Sequence, residues 1–376
     1  MDGMAGQRPA LSWVVNLSVV ALVVLWTIPT FGLLVSSFRD GDQLSVSGWW
    51  TALTATERNL VERAPASDAQ VQEGDAYVIA GNVFGERTGE LTAFGWRSQD
   101  PEAFTPGETA EMNDGVTMTV EADGAFRIVS PEEMTGRRGQ RIFVTSVEQP
   151  KWSLDNYRQV LFKEGIGRSF INTLTVTIPA TIIPILIAAF AAYALAWMQF
   201  PGRALLLATI VGLLVVPLQM SLIPLLRLYT DINIGKSYIG IWLAHTGFGL
   251  PLAIYLLRNY IAGLPREIIE SAKVDGASDF DIFLKIILPL SFPALASFAI
   301  FQFLWVWNDL LVATVFLGNN EDQLVMTGRL RELLGSRGGN WEILTASAFV
   351  SIAVPLLVFF SLQKYLVRGL LSGSVK

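Results

Sequence analysis

Gly263-Leu-Pro-Arg-Glu-Ile-Ile-Glu-Ser-Ala-Lys-Val-Asp-Gly-Ala-Ser-Asp-Phe-Asp-Ile-Phe-Leu-Lys-Ile-Ile-Leu-Pro289 is the segment around which the rest of the chain arranges itself. Pro265 suits the first turn of a helix, where its missing N–H would be unpaired anyway. Glu267 then sits near the positive end of that helix. Asp275-Gly276 is a break, because glycine takes the left-handed conformation that ends a helix at no steric cost. Beyond it Phe280, Phe283, Leu284 and Ile287 recur at i, i+3, i+4 and i+7, which predicts a second, short amphipathic helix with Asp279, Asp281 and Lys285 off its stripe. Pro289 then opens a long apolar run. Ser271, Ala272 and Ala277 are small and would let a partner's walls approach closely. Helices that merely rest on headgroups are usually lysine-rich. This one carries Glu267, Glu270, Asp275, Asp279 and Asp281, which anionic lipid would repel. Its composition suits a plug for a basic cleft in another protein.

The surroundings are apolar. Of 376 residues 52% are hydrophobic and 16% charged, against about 25% charged in soluble domains. A bilayer core needs about 20 apolar residues in a helix, and six segments qualify: 11–36, 169–198, 203–227, 238–258, 290–317 and 343–366. The first is longer than the roughly 7–15 residues of a signal-peptide core and lacks a small-residue cleavage pattern after it, so it reads as a retained span. Trp13, Trp197, Trp341 and Tyr365 fall near span ends, as aromatic belts do. The predicted fold class is an all-α membrane protein with six transmembrane helices and an extracytoplasmic β-rich insert between helices 1 and 2. Its expected parts are 1–37 (tail and first helix), 38–166 (insert) and 167–376 (five-helix core, with a cytoplasmic coupling loop at 259–289).

Charge separates these parts. Residues 38–167 hold 12 Lys+Arg against 21 Asp+Glu, a net of −9, within a chain whose formal net charge is −6. Positive charge in short loops marks the cytoplasmic side. Arg8, Arg203, Arg258, Arg266, Lys273, Lys285, Lys364, Arg368 and Lys376 fall on one side; the opposite loop 228–237 has only Asp231 and Lys236, and loop 318–342 is mixed, with Arg337 among its basic residues. Both termini are therefore expected in the cytoplasm and the insert outside. Within the insert Val116–Val120 and Phe126–Val129 alternate around Asp123-Gly124, a hairpin signal, and 141–147 is a third candidate strand. The insert reads as a structural cap or as a surface that docks or selects a delivery protein.

The absence of cysteine removes disulfides, thiolate metal sites and cysteine nucleophiles. The single histidine, His245, cannot build a multi-histidine metal site and reads first as a hydrogen-bonded packing residue within a span, second as a substrate contact. No basic patch with interleaved aromatics points to nucleic acid. Gly235-Lys236-Ser237 ends like a phosphate-binding loop, but Thr230 stands where that loop needs its first glycine. The chain is thus expected to bind no nucleotide itself. Polar groups inside spans are costly unless paired, so they mark helix contacts or a pathway. Gln219, Gln302, Trp305 and Asn308 are candidate substrate-pathway residues on that ground, with Asp309 a weaker one and Trp305 and Trp307 as aromatic faces for a sugar ring.

The quoted segment resembles the EAA loop of ABC importer permeases, Glu-Ala-Ala, three residues, Gly, nine residues, Ile-x-Leu-Pro, matched by Glu270, Ser271, Ala272, Gly276, Ile286, Leu288 and Pro289. Serine replaces the middle alanine, a small-for-small change. Trp152-Ser-Leu-Asp-Asn-Tyr157, Phe170-Ile-Asn-Thr173, Ala191-Ala-Tyr-Ala194, Phe200-Pro-Gly-Arg203, Pro217-Leu-Gln219 and Trp305-Val-Trp-Asn308 resemble carbohydrate permeases of the maltose-importer type, in particular the MalG-like, binding-protein-dependent member. The insert at 38–151 departs from the standard MalG-like pattern and resembles that of α-glucoside permeases of the AglG type. The resemblance implies a permease subunit of an ATP-binding-cassette importer for a sugar, an α-glucoside or other di/oligosaccharide, working by alternating access in the bacterial plasma (inner) membrane. It implies that Glu267, Glu270, Ser271, Ala272, Asp275, Gly276, Ala277 and Asp279 form the ATPase-coupling surface. It also implies a MalF-like second permease, two ATPase subunits that hold ATP and Mg, and an extracytoplasmic sugar-binding protein, this chain itself being no enzyme. The alternatives are an ABC permease for a non-sugar solute, an ion-driven transporter, for which paired ionisable residues in spans are too few, and a membrane-anchored sensor working through the insert.

Overall fold

The computed structural model describes residues 9–85, 89–336 and 338–371, so Arg8, Arg337 and Lys376 among the orientation charges lie outside the described residues. The chain divides into two compact units, Met1–Leu154 and Asp155–Lys376.

The first unit opens with α1 (Pro9–Ser37), whose stretch Leu11–Ser37 is long and apolar enough to cross a membrane. Arg39, just beyond it, donates to the Gly48 carbonyl (2.9 Å) and the Ser47 hydroxyl (2.7 Å), which folds the chain around α2 (Gly41–Val46). The Asp40 carboxylate caps α2 by accepting the Gln43 N–H at 2.8 Å.

Eight strands follow among the described residues: β1 (Thr56–Arg63), β2 (Val71–Glu73), β3 (Ala76–Asn82), β4 (Glu90–Gly95), β5 (Thr109–Glu111), β6 (Thr117–Val120), β7 (Ala125–Ser130) and β8 (Arg141–Glu148). They make two antiparallel sheets, β1-β8-β4 and β2-β3-β7-β6-β5. The expected hairpin is β6–β7, turning at Gly124 with φ +84°. Met118 and Val120 point inward with Phe94, Ile128 and Ile142 into one apolar core. The alternation that marks β6 and β7 in the sequence is this inward face, and the third candidate strand is β8. β1 carried no such signal: its residues alternate between half-buried and exposed, with none fully buried.

The second unit is helical: α3 (Asp155–Phe162), α4 (Ile166–Trp197), α5 (Arg203–Leu213), α6 (Leu218–Asp231), α7 (Tyr238–Ala262), α8 (Arg266–Val274), α9 (Asp279–Ile282), α10 (Leu288–Trp307), α11 (Leu311–Phe316), α12 (Met326–Ser336) and α13 (Trp341–Leu371). With Leu11–Ser37, five helices are long and apolar enough to span: Ile166–Trp197, Tyr238–Ala262, Asp279–Trp307 and Trp341–Tyr365 are the others. The third expected span, 203–227, is corrected to a broken pair. α5 and α6 meet at 106° across residues 214–217, because Pro217 has no N–H for a continuing helix and restricts the residue before it.

Two further boundaries differ from expectation. The fifth span does not begin at Pro289: α9 runs into α10 through a widened turn, Phe283–Ile287, in which Leu288 N–H reaches back five residues to the Phe283 carbonyl. The missing Pro289 N–H and its ring are thereby accommodated without a kink. Nor does that span reach residue 317. It stops at Trp307, with Asn308 capping it and Asp309 accepting the Val312 N–H (2.7 Å) to start α11, since short polar side chains compete with the helix for backbone groups.

Prolines inside the long helices explain several buried polar side chains. A helical proline leaves the carbonyl four residues earlier without its N–H, and in lipid that group must be satisfied from within the protein. Pro179 and Pro184 so orphan Thr175 and Ala180, and Pro355 orphans Ser351. Trp242 Nε1 donates to the Thr175 carbonyl (2.9 Å), Gln302 Nε2 to Ala180 (3.1 Å) and Trp307 Nε1 to Ser351 (2.9 Å). Asn172 ties the segment before α12: its amide donates to the carbonyls of Asp322 (3.0 Å) and Leu324 (3.1 Å) and accepts the Tyr238 hydroxyl (3.1 Å). Thr173 accepts the Met326 N–H at 2.8 Å.

Candidate functional site

The acidic segment forms a projecting corner. Pro265 stands at the cap of α8, one position earlier than expected, and Glu267 lies in the first turn. α8 turns Ile269 and Ala272 inward, into the cluster that holds Tyr193, Ile282, Phe283 and Ile287. Gly276 has φ +80°, and its N–H donates to the Lys273 carbonyl (3.1 Å) while Ala277 N–H donates to Ala272 (3.0 Å). This paired closure satisfies two carbonyls at the helix end and requires a left-handed residue at Gly276. Ser278 then caps the next helix by accepting the Asp281 N–H at 3.1 Å.

Glu267, Glu270, Ser271, Asp275, Gly276 and Asp279 are exposed, Ala277 is half-buried and Ala272 is buried. The small size of Ala272 therefore serves the packing of α8 on its own bundle instead of opening room for a partner. The apolar stripe expected at Phe280, Phe283, Leu284 and Ile287 is also corrected. Phe283 and Ile287 are buried together with Ile282, whereas Phe280 and Leu284 are exposed, so the inward face runs through 282, 283 and 287. The outer surface is consequently mixed: acids beside Val274, 86% exposed, and Phe280, 61% exposed.

Rigid contacts hold this corner to α4. The Tyr193 hydroxyl donates to Asp279 at 3.1 Å, and Lys273 approaches the same carboxylate at 3.6 Å. Phe190 stacks on Phe283 with ring centroids 4.4 Å apart. Trp197 Nε1 donates to the Ile261 carbonyl (3.0 Å), fixing the end of α7 that leads into the corner. Neither Tyr193 nor Phe190 carries a local signal for this role: Tyr193 belongs to the Ala191–Ala194 stretch, and its reach to Asp279 is a tertiary fact that no local pattern encodes.

The candidate pathway residues separate into two kinds. Gln219, Trp305 and Asn308 are exposed, Gln219 at the start of α6 and the other two at the end of α10. Gln302 is 1% exposed and engaged with α4, so it packs helices and lines no pathway in this conformation. Trp307 is likewise buried, against Phe170 and Phe303, and offers no face to a ligand. His245 is buried in α7. Gly235-Lys236-Ser237 is a left-handed turn followed by a helix cap, with the Ser237 hydroxyl accepting Gly240 N–H at 3.1 Å.

The family described as "Binding-protein-dependent transport system inner membrane component" matches residues 164–372. The chain is similar to the alpha-glucoside transport system permease protein AglG of Rhizobium meliloti, 69% identical over 375 residues covering 98% of both chains. It is similar to the osmoprotective compounds uptake permease protein GgtD of Synechocystis sp., 59% identical over 235 residues, 62% of this chain and 79% of that one. The arabinooligosaccharides transport system permease protein AraQ of Halalkalibacterium halodurans is 32% identical over 225 residues, 60% of this chain and 80% of its own length.

Proposed function

The chain belongs to the family of binding-protein-dependent transport system inner membrane components, and on that premise we propose that it is the permease subunit of an ATP-binding-cassette importer for an α-glucoside or other di/oligosaccharide. The observation that carries the substrate class is the 69% identity to AglG, which extends through the β-rich insert as well as the helical part. GgtD, 59% identical over the shorter shared region, supports a second reading, an importer of osmoprotective compounds.

In the proposed mechanism the termini and the α8–α9 corner lie in the cytosol and the β-rich unit lies outside. A binding protein delivers the sugar, a second, MalF-like permease completes the pathway, and two partner ATPases bind ATP and Mg and carry out hydrolysis. This chain supplies the mechanical link. Glu267, Glu270, Ser271, Asp275, Gly276, Ala277 and Asp279 form the surface that enters the ATPase groove, with Glu270 opposite a basic group, and Ala272 seats that surface on the bundle. Acids flanked by exposed Val274 and Phe280 suit a protein cleft better than lipid headgroups. Because Asp279 is bonded to Tyr193 on a spanning helix, movement of the corner is passed to α4 directly. Gln219, Trp305 and Asn308 are the side chains proposed to meet the sugar.

The natural chain has no cysteine, which makes a single introduced thiol a selective probe. Glu267→Cys and Asp275→Cys variants are expected to crosslink to an ATP-hydrolysing subunit in membranes, while a labelled α-glucoside is taken up and is competed by unlabelled disaccharide. Failure of every crosslink removes the coupling role. Competition by osmoprotective solutes in place of the disaccharide selects the second reading.

A further inference from the structure

Arg63, Arg97, Arg138 and Arg141 of the β-rich unit converge on one cavity of about 420 Å³, together with Trp96 and Gln140. The stretch that contains them is acidic overall, with 21 Asp+Glu against 12 Lys+Arg over residues 38–167. Even so, among the described residues none of the four guanidinium groups is ion-paired. Arg63 and Arg141 are direct partners in the β1–β8 ladder. Like charges placed directly opposite destabilise a strand pair, so this arrangement calls for a counter-charge.

The backbone is built to bring these groups together. A Cβ at Gly139 would stand 1.7 Å from the Ala64 carbonyl oxygen, so only glycine lets the segment bearing Arg138 and Arg141 run against the end of β1. Ala64 N–H donates to the Gln140 carbonyl at 2.9 Å. Arg63 Nη1 donates to the Gly139 carbonyl at 3.3 Å. The Arg97 guanidinium lies 4.1 Å from the centre of the Trp96 ring, and the Gln140 amide donates to the Trp96 (3.5 Å) and Arg141 (3.1 Å) carbonyls.

We propose that this cavity binds a small soluble polyanion bearing carboxylate or phosphate groups. Guanidinium forks match the paired oxygens of both groups. The volume falls in the range of about 300–1,000 Å³ typical of small-molecule sites. Four arginines lining one concavity suit a compact ligand, whereas a partner protein's acidic surface would meet charges spread over a face. This inference does not depend on what the helical unit transports.

The test uses the full-length chain in nanodiscs of zwitterionic lipid, titrated with citrate and with inorganic phosphate by calorimetry. Saturable one-to-one binding of citrate is expected, weakened about tenfold or more in Arg63→Gln/Arg141→Gln. It is expected to be unchanged in Arg127→Gln, whose arginine pairs with Glu73 outside the cavity. Citrate should raise the melting temperature of the unaltered chain and not that of the double variant. Without citrate the double variant should melt no lower, because a like-charge pair has been relieved; this separates lost binding from misfolding. Persistence of the citrate isotherm in nanodiscs containing acidic phospholipid supports a soluble ligand, and its loss there assigns the site to a headgroup and overturns that source. No saturable binding of either probe, equal binding by the double variant, or saturation by an acidic protein alone overturns the proposal.

Discussion

The Gln302 side-chain amide donates to the Ala180 carbonyl at 3.1 Å, the one acceptor in that turn of α4 that Pro184 leaves without a helical N–H. The bond therefore exists to repair a proline. Gln302→Leu is expected to lower stability by about 1–2 kcal/mol, since a carbonyl is then stranded in a buried site. In a Pro184→Ala background the restored N–H can reach Ala180, and the same substitution should cost less. A double-mutant cycle on thermal unfolding in detergent measures the difference; additive effects would show that the two positions are unrelated.

Asn172 makes a comparable repair for a loop. It serves the Asp322 and Leu324 carbonyls as donor and Tyr238 as acceptor. Asn172→Ala should cost roughly 2–3 kcal/mol by stranding these groups. Asn172→Asp should cost more, because a carboxylate has no N–H for the two carbonyls. The melting temperatures of the variants are the readout, and a value for Asn172→Asp at or above that of Asn172→Ala would contradict the assignment.

These two residues show where the sequence was legible. Among the described residues hydropathy located the five long apolar helices, because apolar length is a local property, and it missed the bend at residues 214–217 because Val215 and Val216 are as apolar as the helices they separate. Alternation found β6 and β7, which bury one face, and 141–147 was legible as a strand; β1, which buries no residue fully, and β3 and β4, whose buried residues do not follow a clean alternation, were not. In the acidic corner the glycine break was readable from residue type alone. The inward turn of Ala272 and the exposure of Phe280 were not, since they depend on which face of each short helix meets the rest of the bundle. Gln302 looked like a pathway residue for the good reason that polar groups in spans are rare; its partner, a proline-orphaned carbonyl 122 positions away, is visible only in three dimensions.

Gly276 offers a graded test of the corner. Its φ of +80° costs an ordinary residue about 1–2 kcal/mol, less for asparagine, and is closed to proline. Uptake should therefore fall in the order glycine, Gly276→Asn, Gly276→Ala, Gly276→Pro, with the last inactive because its missing N–H also abandons the Lys273 carbonyl. Immunoblots of membranes should show equal insertion throughout. Glu270→Lys should likewise insert normally and abolish uptake. Normal transport by Gly276→Pro or by Glu270→Lys at verified protein levels would remove the corner from the transport mechanism.

Tyr193 separates force transmission from folding. Its hydroxyl reaches Asp279 from α4, while its ring packs on Phe283 at 5.7 Å between centroids. Tyr193→Phe keeps the ring and deletes only the hydrogen bond, a loss of about 0.5–1 kcal/mol at a partly exposed site. Stability should barely change, but the hydrogen bond from α4 to Asp279 is then gone and packing must carry that link. In proteoliposomes with the partner subunits, sugar moved per ATP hydrolysed should drop about two- to five-fold, while the ATPase rate holds or rises because the motor works against a looser load. Asp279→Asn keeps an acceptor for the phenol and should retain more of the coupling than Tyr193→Phe. An unchanged transport ratio in Tyr193→Phe would mean that packing of Phe190 and the ring at position 193 on Phe283 carries the motion by itself.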